Sequence, residues 1–162
     1  MEVIIALIAL LVSIVSCGLS FYFWRRQFRP IVTAAVKTNK AGNMAIAYDL
    51  VVRNSGSIPA RNIRMTAENR TLAQALSDSA KNEDKSLWLA CFDGNTTIPI
   101  LHNDDTVSCS FGTTGEGNSG FWKYNSQISI MIEYEGWFGH KYKQPQELFV
   151  RDSGSFTVRM WG

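Results

Sequence analysis

The stretch Ala45-Ile46-Ala47-Tyr48-Asp49-Leu50-Val51-Val52-Arg53 alternates, with Ile46, Tyr48, Leu50 and Val52 on one side and Ala47, Asp49, Val51 and Arg53 on the other. A period of two is that of a strand with one buried face. The same rhythm returns in Ile63 and Met65, in Val107, Cys109 and Phe111, in Ile128, Ile130, Ile132 and Tyr134, and in Phe156, Val158 and Met160. Residues rich in turn chemistry separate these runs: Asn54-Ser55-Gly56-Ser57-Ile58-Pro59, Asn103-Asp104-Asp105, Gly136-Trp137-Phe138-Gly139 and Asp152-Ser153-Gly154. About seven short strands without βαβ alternation predict a mainly β fold, an antiparallel β-sandwich. Residues 71–80, with Leu72, Ala75 and Leu76 on one face, predict one short helical insertion. Leu50 and Ile130 are expected in the core, and Ser129, between inward neighbours, on the exposed face.

Working outward to the N-terminus, Val3 to Trp24 is a run of 22 residues without a charge. As a helix it rises about 33 Å, enough to cross a hydrocarbon layer of about 30 Å. Residues 1–24 are therefore expected to be a transmembrane helix in contact with the lipid bilayer, and 25–30 a basic juxtamembrane linker. Phe21, Tyr22 and Trp24 fit the aromatic belt of a membrane interface, and Arg25, Arg26 and Arg29 the headgroup layer. A cleaved signal is the rival, but the chain opens Met1-Glu2 without a basic n-region and its apolar run is too long. Ile14-Val15-Ser16-Cys17 loosely resembles a lipobox, yet apolar and small residues continue beyond Cys17. The charge asymmetry across the helix predicts a single-pass protein of the inner membrane with its domain in the cytoplasm. Ala6, Ala9, Ser13, Ser16 and Ser20 recur every three or four residues on one helix face, a spacing suited to pairing with another transmembrane helix, of a second copy or of a partner protein.

Beyond the linker the charges balance, 13 basic against 13 acidic, once Arg25, Arg26, Arg29 and Glu2 are set aside. No nucleic-acid partner is expected, because phosphate binding needs clustered excess cations. Catalytic and metal chemistry find little footing. His102 with Asp104 and Asp105 would be a hydrolytic set, but the two aspartates belong to a turn. Cys91, His102 and Cys109 lack the paired spacing and fourth ligand of a zinc site. Gly115-Glu116-Gly117-Asn118-Ser119-Gly120 matches the dinucleotide pattern, but Phe121-Trp122-Lys123-Tyr124 and a strand follow in place of a helix. We expect no enzyme, no cofactor, no metal and no small-molecule substrate. The candidate contact points for a protein partner are aromatic: Phe121, Trp122 and Tyr124 beside the glycine-rich loop, and Trp137 and Phe138 at a hairpin tip. The alternative for these rings is to fold back over the open end of the sandwich. Cys91 and Cys109 are consistent with a disulfide in an outside domain or with buried thiols in an inside one.

Residues 50–65, Leu-Val-Val-Arg-Asn-Ser-Gly-Ser-Ile-Pro-Ala-Arg-Asn-Ile-Arg-Met, carry a strand, an Asn-x-Gly turn, Pro-Ala and a second strand. This segment resembles bacterial immunoglobulin-like domains of the cell-adhesion-related type. Residues 101–107 stand where such domains carry a turn before an inward strand, and 128–142 resemble their closing hairpin. The resemblance implies an immunoglobulin-like sandwich over 31–162. The whole chain is similar to small bacterial single-pass membrane proteins bearing such a domain, which implies an interaction or accessory role. The alternative is a periplasmic or surface module that binds envelope or carbohydrate. Residues 68–88 depart from the compact pattern.

Overall fold

The computed structural model describes residues 1–42, 44–137 and 139–153. Helix α1 spans Glu2–Gln27 and is followed by strands β1 (Val32–Ala41), β2 (Ala45–Asn54) and β3 (Ala60–Ala67). Two short helices come next, α2 (Asn69–Ala75) and α3 (Asn82–Trp88), with a 3-10 turn at Ala90–Phe92. Strands β4 (Ile98–Leu101), β5 (Thr106–Gly115), β6 (Ser126–Glu135) and β7 (Lys141–Val150) complete the described elements, with a second 3-10 turn at Glu116–Asn118 before β6.

The strands form two antiparallel sheets, one of order β1-β2-β5 and one of order β4-β3-β6-β7. Their facing sides share one apolar core. The alternation in β2 reads directly into it, because Ile46, Tyr48, Leu50 and Val52 are all buried. So are Ile63 and Met65 of β3, and Ile128, Ile130, Ile132 and Tyr134 of β6. Along one side the sheets are stitched by Gln146 of β7, which accepts from the Ala34 N–H at 3.0 Å and donates to its carbonyl at 2.6 Å. Farther along, Thr38 donates from Oγ1 to Asp152 at 2.8 Å. These contacts occupy an edge of β1 that would otherwise present unpaired backbone, and Pro145 lies on the edge strand β7, where a missing N–H costs least.

Several expectations are corrected. The apolar helix does not stop at residue 24: the Phe28 N–H donates to the Trp24 carbonyl at 2.9 Å, so Arg25 lies in the last turn of α1 and not in a linker. There a cation meets the negative end of the helix dipole. The insertion holds two short helices and a 3-10 turn, not one helix. α2 ends at Ala75 because Leu76 turns extended, bridges Trp122 and is followed by a bond from the Ser77 N–H to the Phe121 carbonyl at 2.9 Å. α3 has no buried residue, so no apolar period marks it. α2 lies over β6, and Ser129 is half-buried beneath it, with its N–H donating to Thr71 Oγ1 at 3.2 Å. Cys109 and Val107 pair across from Leu50 and Val52, on the expected inner face, yet both are exposed where β5 forms the sheet edge. The strand expected at Phe156, Val158 and Met160 lies outside the described residues. The closing strand within them is β7, whose lysines and glutamines hid its period.

Candidate functional site at the helix–sandwich junction

The junction begins with Asn54, the last residue of β2 and fully buried. Its Oδ1 accepts from the N–H groups of Ile31 (3.2 Å) and Gly56 (3.0 Å), and its Nδ2 donates to the carbonyls of Ile58 (2.8 Å) and Leu101 (3.1 Å). One side chain thus ties the segment after α1 to the β2–β3 turn and to β4. Gly56 is there because of close approach: a Cβ on it would lie 2.5 Å from Ile31 N and 2.6 Å from Pro30 Cα. The turn then runs alongside the linker, with the Ser55 N–H donating to Ile31 (2.9 Å), the Ser57 N–H to Arg29 (3.3 Å) and Ser57 Oγ to the Gln27 carbonyl at 3.0 Å. Residues 27–31 are therefore pinned along the sandwich. The Tyr134 hydroxyl, whose pKa burial raises, stays a donor toward the Pro30 carbonyl (3.4 Å) and Gln144 Oε1 (3.3 Å), and its ring stacks on Tyr142.

This seating leaves a half-open cavity of about 630 Å³ between the last turns of α1 and the β6–β7 hairpin. Tyr22, Trp24, Arg25 and Phe28 line it from the helix side, and Ile58, Trp137, His140, Lys141 and Tyr142 from the sandwich. Arg25 donates to His140 Nε2. The rings of Trp24 and Phe28 meet at 5.4 Å, and the Arg61 guanidinium stands 5.3 Å from the Trp137 ring. The expected interface residues thus converge on a defined site: Tyr22, Trp24 and Arg25 line the cavity, Arg25 also lies over Phe21 at 5.7 Å, and Arg29 anchors the turn through its backbone. Of Arg26 only the backbone is described, within α1. His140 is a cavity wall, a role only the closure of the hairpin against the helix could reveal.

The aromatic contact candidates separate. Phe121 and Trp122 are corrected to core: Trp122 is fully buried, its indole N–H donates to the Phe111 carbonyl, and its ring stacks on Phe111 at 4.7 Å with Phe121 edge-on at 4.8 Å. Burying a large ring is favourable once its N–H finds an acceptor. Tyr124 is half-buried against the core, Trp137 is 49% exposed, and Phe138 lies outside the described residues. Of the small-residue face Ala6, Ala9, Ser13, Ser16 and Ser20, all are exposed, and Ser13 Oγ already donates to the Ala9 carbonyl within its own helix at 2.9 Å.

Other residues singled out by sequence fall into structural roles. Asp104 has a left-handed backbone (φ 59°) and pairs with Arg53 at 3.3 Å, while Asp105 accepts from the Thr106 N–H at 2.8 Å, as turn residues do. In the glycine-rich segment Gly120 packs so closely on β5 that a Cβ would lie 2.6 Å from Thr114 Cα. Among the described residues no group of three or more His, Cys, Asp or Glu side chains is placed to hold a metal ion. Cys91 and Cys109 are free thiols, each of which shifts the ionisation of the other, and the Cys91 Sγ donates to the Trp88 carbonyl at 3.7 Å. The more buried Cys91 keeps its proton, its pKa raised by the interaction with Cys109 and by desolvation, and the same interaction lowers the exposed Cys109 to about 7.

Among known proteins, no curated sequence and no solved structure matches this chain. A family match covers residues 1–153, taking in α1, both sheets and the junction between them. The chain accordingly belongs to the family described as Domain of unknown function (DUF8453).

Proposed function

We propose that the chain is a membrane-anchored, non-enzymatic interaction or accessory module, one subunit of a membrane-associated assembly, with its sandwich in the cytoplasm. The observation that carries this reading is α1. Residues Glu2–Arg25, 24 in number with a mean hydropathy of 2.7, are long and apolar enough to cross a membrane, and none of that span is buried against the rest of the chain. A helix so apolar and so uncovered finds its stable surroundings in lipid. The order β1-β2-β5 and β4-β3-β6-β7 supports an immunoglobulin-like reading of the sandwich, a fold that serves recognition as readily as any chemistry. Recognition then falls to Trp137 and Tyr124 on the sandwich and to the small-residue face of α1 in the membrane.

A second reading, an outward-facing module that binds envelope or carbohydrate, is favoured by one observation. The contact between Cys91 and Cys109 suits a disulfide in an oxidising compartment. One experiment addresses both readings. In fractionated cells the full-length chain is expected to stay with the membrane through alkaline carbonate, and cross-linking there to recover a protein partner. Release into the soluble fraction overturns the anchor. A membrane-impermeant maleimide is expected to leave exposed Cys109 unlabelled in intact cells and to label it after lysis. Labelling from outside, or a Cys91–Cys109 disulfide, selects the second reading.

A further inference from the structure

The junction cavity combines three properties that point to a ligand. First, its helix wall consists of Tyr22, Trp24, Arg25 and Phe28, from the last turns of the apolar span and its cap. When α1 crosses a bilayer these residues stand at the boundary between hydrocarbon and headgroups. Secondly, its charged wall is of one sign: Arg25 and Lys141 line it together with the His140 ring, and among the described residues no carboxylate does. Glu135 answers part of that charge, with Oε1 3.9 Å from Lys141 Nζ, but its Oε2 accepts from Asn62 at 3.0 Å, so it is already shared. Arg25 is turned toward Nε2 of His140, not toward an anion. Thirdly, the remaining walls are apolar or aromatic, and about 630 Å³ lies within the range of cavities that hold small ligands.

We propose that this cavity binds one anionic phospholipid, with its phosphate against Arg25, Lys141 and the His140 ring, and its glycerol and first acyl carbons along Phe28, Trp137 and Tyr142. The guanidinium fork suits phosphate oxygens, and the apolar walls suit the chain that a free phosphate lacks. The bound lipid serves as a wedge that fixes the sandwich against the membrane surface. This inference rests on the membrane-spanning reading of α1.

The test uses full-length protein reconstituted into phosphatidylcholine vesicles carrying a minor share of phosphatidylglycerol, then extracted gently and weighed by native mass spectrometry. The wild type is expected to retain phosphatidylglycerol above its share by about fivefold or more, the factor to which one basic residue's contribution of about 1 kcal/mol converts. Arg25→Gln with Lys141→Gln is expected to return retention to the bulk share. Lys37→Gln with Lys81→Gln removes the same charge from exposed positions outside the cavity and is expected to leave retention unchanged. Trp137→Ala, which keeps every charge but removes a wall, is expected to weaken retention. No enrichment in the wild type overturns the proposal, as does equal loss in both charge-removing pairs. Inorganic phosphate that binds the lipid-free protein and abolishes enrichment overturns it in favour of a free-phosphate site. A chain that fails to insert at all overturns the membrane reading itself, whereas one that inserts without enrichment overturns the lipid site alone.

Discussion

Asn54 shows how much one side chain can settle. All four of its hydrogen-bonding positions are used, inside a site closed to water. Asn54→Ala would leave two N–H groups and two carbonyls short of a partner, and buried groups so stranded cost about 1 to 3 kcal/mol each. With partial relaxation, unfolding by denaturant in detergent is expected to show a loss of about 2 to 4 kcal/mol, and the linker at 27–31 to become protease-sensitive before the strands do. A loss within 0.5 kcal/mol would mean that the network has no such weight. The cysteine pair makes a second prediction at this scale. Because Cys91 stands beside it and favours its ionised form, the Cys109 thiolate persists down to about pH 7, below the ordinary thiol value of about 8.5. The rate of Cys109 alkylation should therefore have its midpoint near pH 7 and rise toward the ordinary value in Cys91→Ala. An unchanged midpoint in that variant would remove Cys91 as its cause.

Among the elements, α1 and β5 carry different lessons. In α1 the Ser13 hydroxyl is engaged with Ala9, four residues back, so a helix partner would meet a small surface and an acceptor, not a free donor. Size then matters more than the hydroxyl. Ser13→Leu is expected to abolish cross-linking between α1 and its partner in native membranes, whereas Ser13→Ala and the far-side Leu11→Ile leave it near wild type. Cross-linking that survives Ser13→Leu would reduce α1 to a tether. In β5 the register slips by one residue between Asp49↔Ser110 and Ala47↔Thr113, so that Phe111 and Gly112 together oppose Tyr48. Gly112 takes φ +84° there, and a Cβ on it would meet Trp122 Nε1 at 3.1 Å. The bulge carries Phe111 into the aromatic core while Cys109 stays at the rim.

For the whole molecule, both sheets close on a single core, so the sandwich should lose structure as one unit. Leu50 belongs to the three-stranded sheet and Ile130 to the four-stranded one, and both are buried. Leu50→Ala and Ile130→Ala are each expected to cost about 2 to 5 kcal/mol, and in either variant both sheets should melt in a single transition followed by circular dichroism and tryptophan emission. Separate transitions for the two probes would show that the sheets are independently stable. The sandwich is also joined to α1 by direct bonds and by Gly56, so the anchor and the domain meet at a defined seat, not through a flexible tether.

The apolar run of α1 and the period-two stretches of β2, β3 and β6 were legible in the sequence because each is a local pattern: length against bilayer thickness, and alternation against one buried face. Strands β1 and β7 were less so, since Val32, Ala34 and Val36 alternate with little contrast and β7 carries lysines, glutamines and Pro145 on an edge. Arg25 and Trp24 were marked as site candidates by their place at the end of the apolar run. His140, Lys141, Ile58 and Tyr142 were not, because what makes them a site is a hairpin more than 100 residues along the chain closing against the helix end. Asn54 read as a turn residue, and Phe121 and Trp122 as loop aromatics open to either placement. Only the packing of Leu76 against Trp122, and of residues 27–31 against the β2–β3 turn, decided their burial. Local periodicity thus determined which face of each central strand is apolar, while the tertiary structure decided which polar groups are enclosed and which charges share a cavity, because both depend on neighbours distant in the chain.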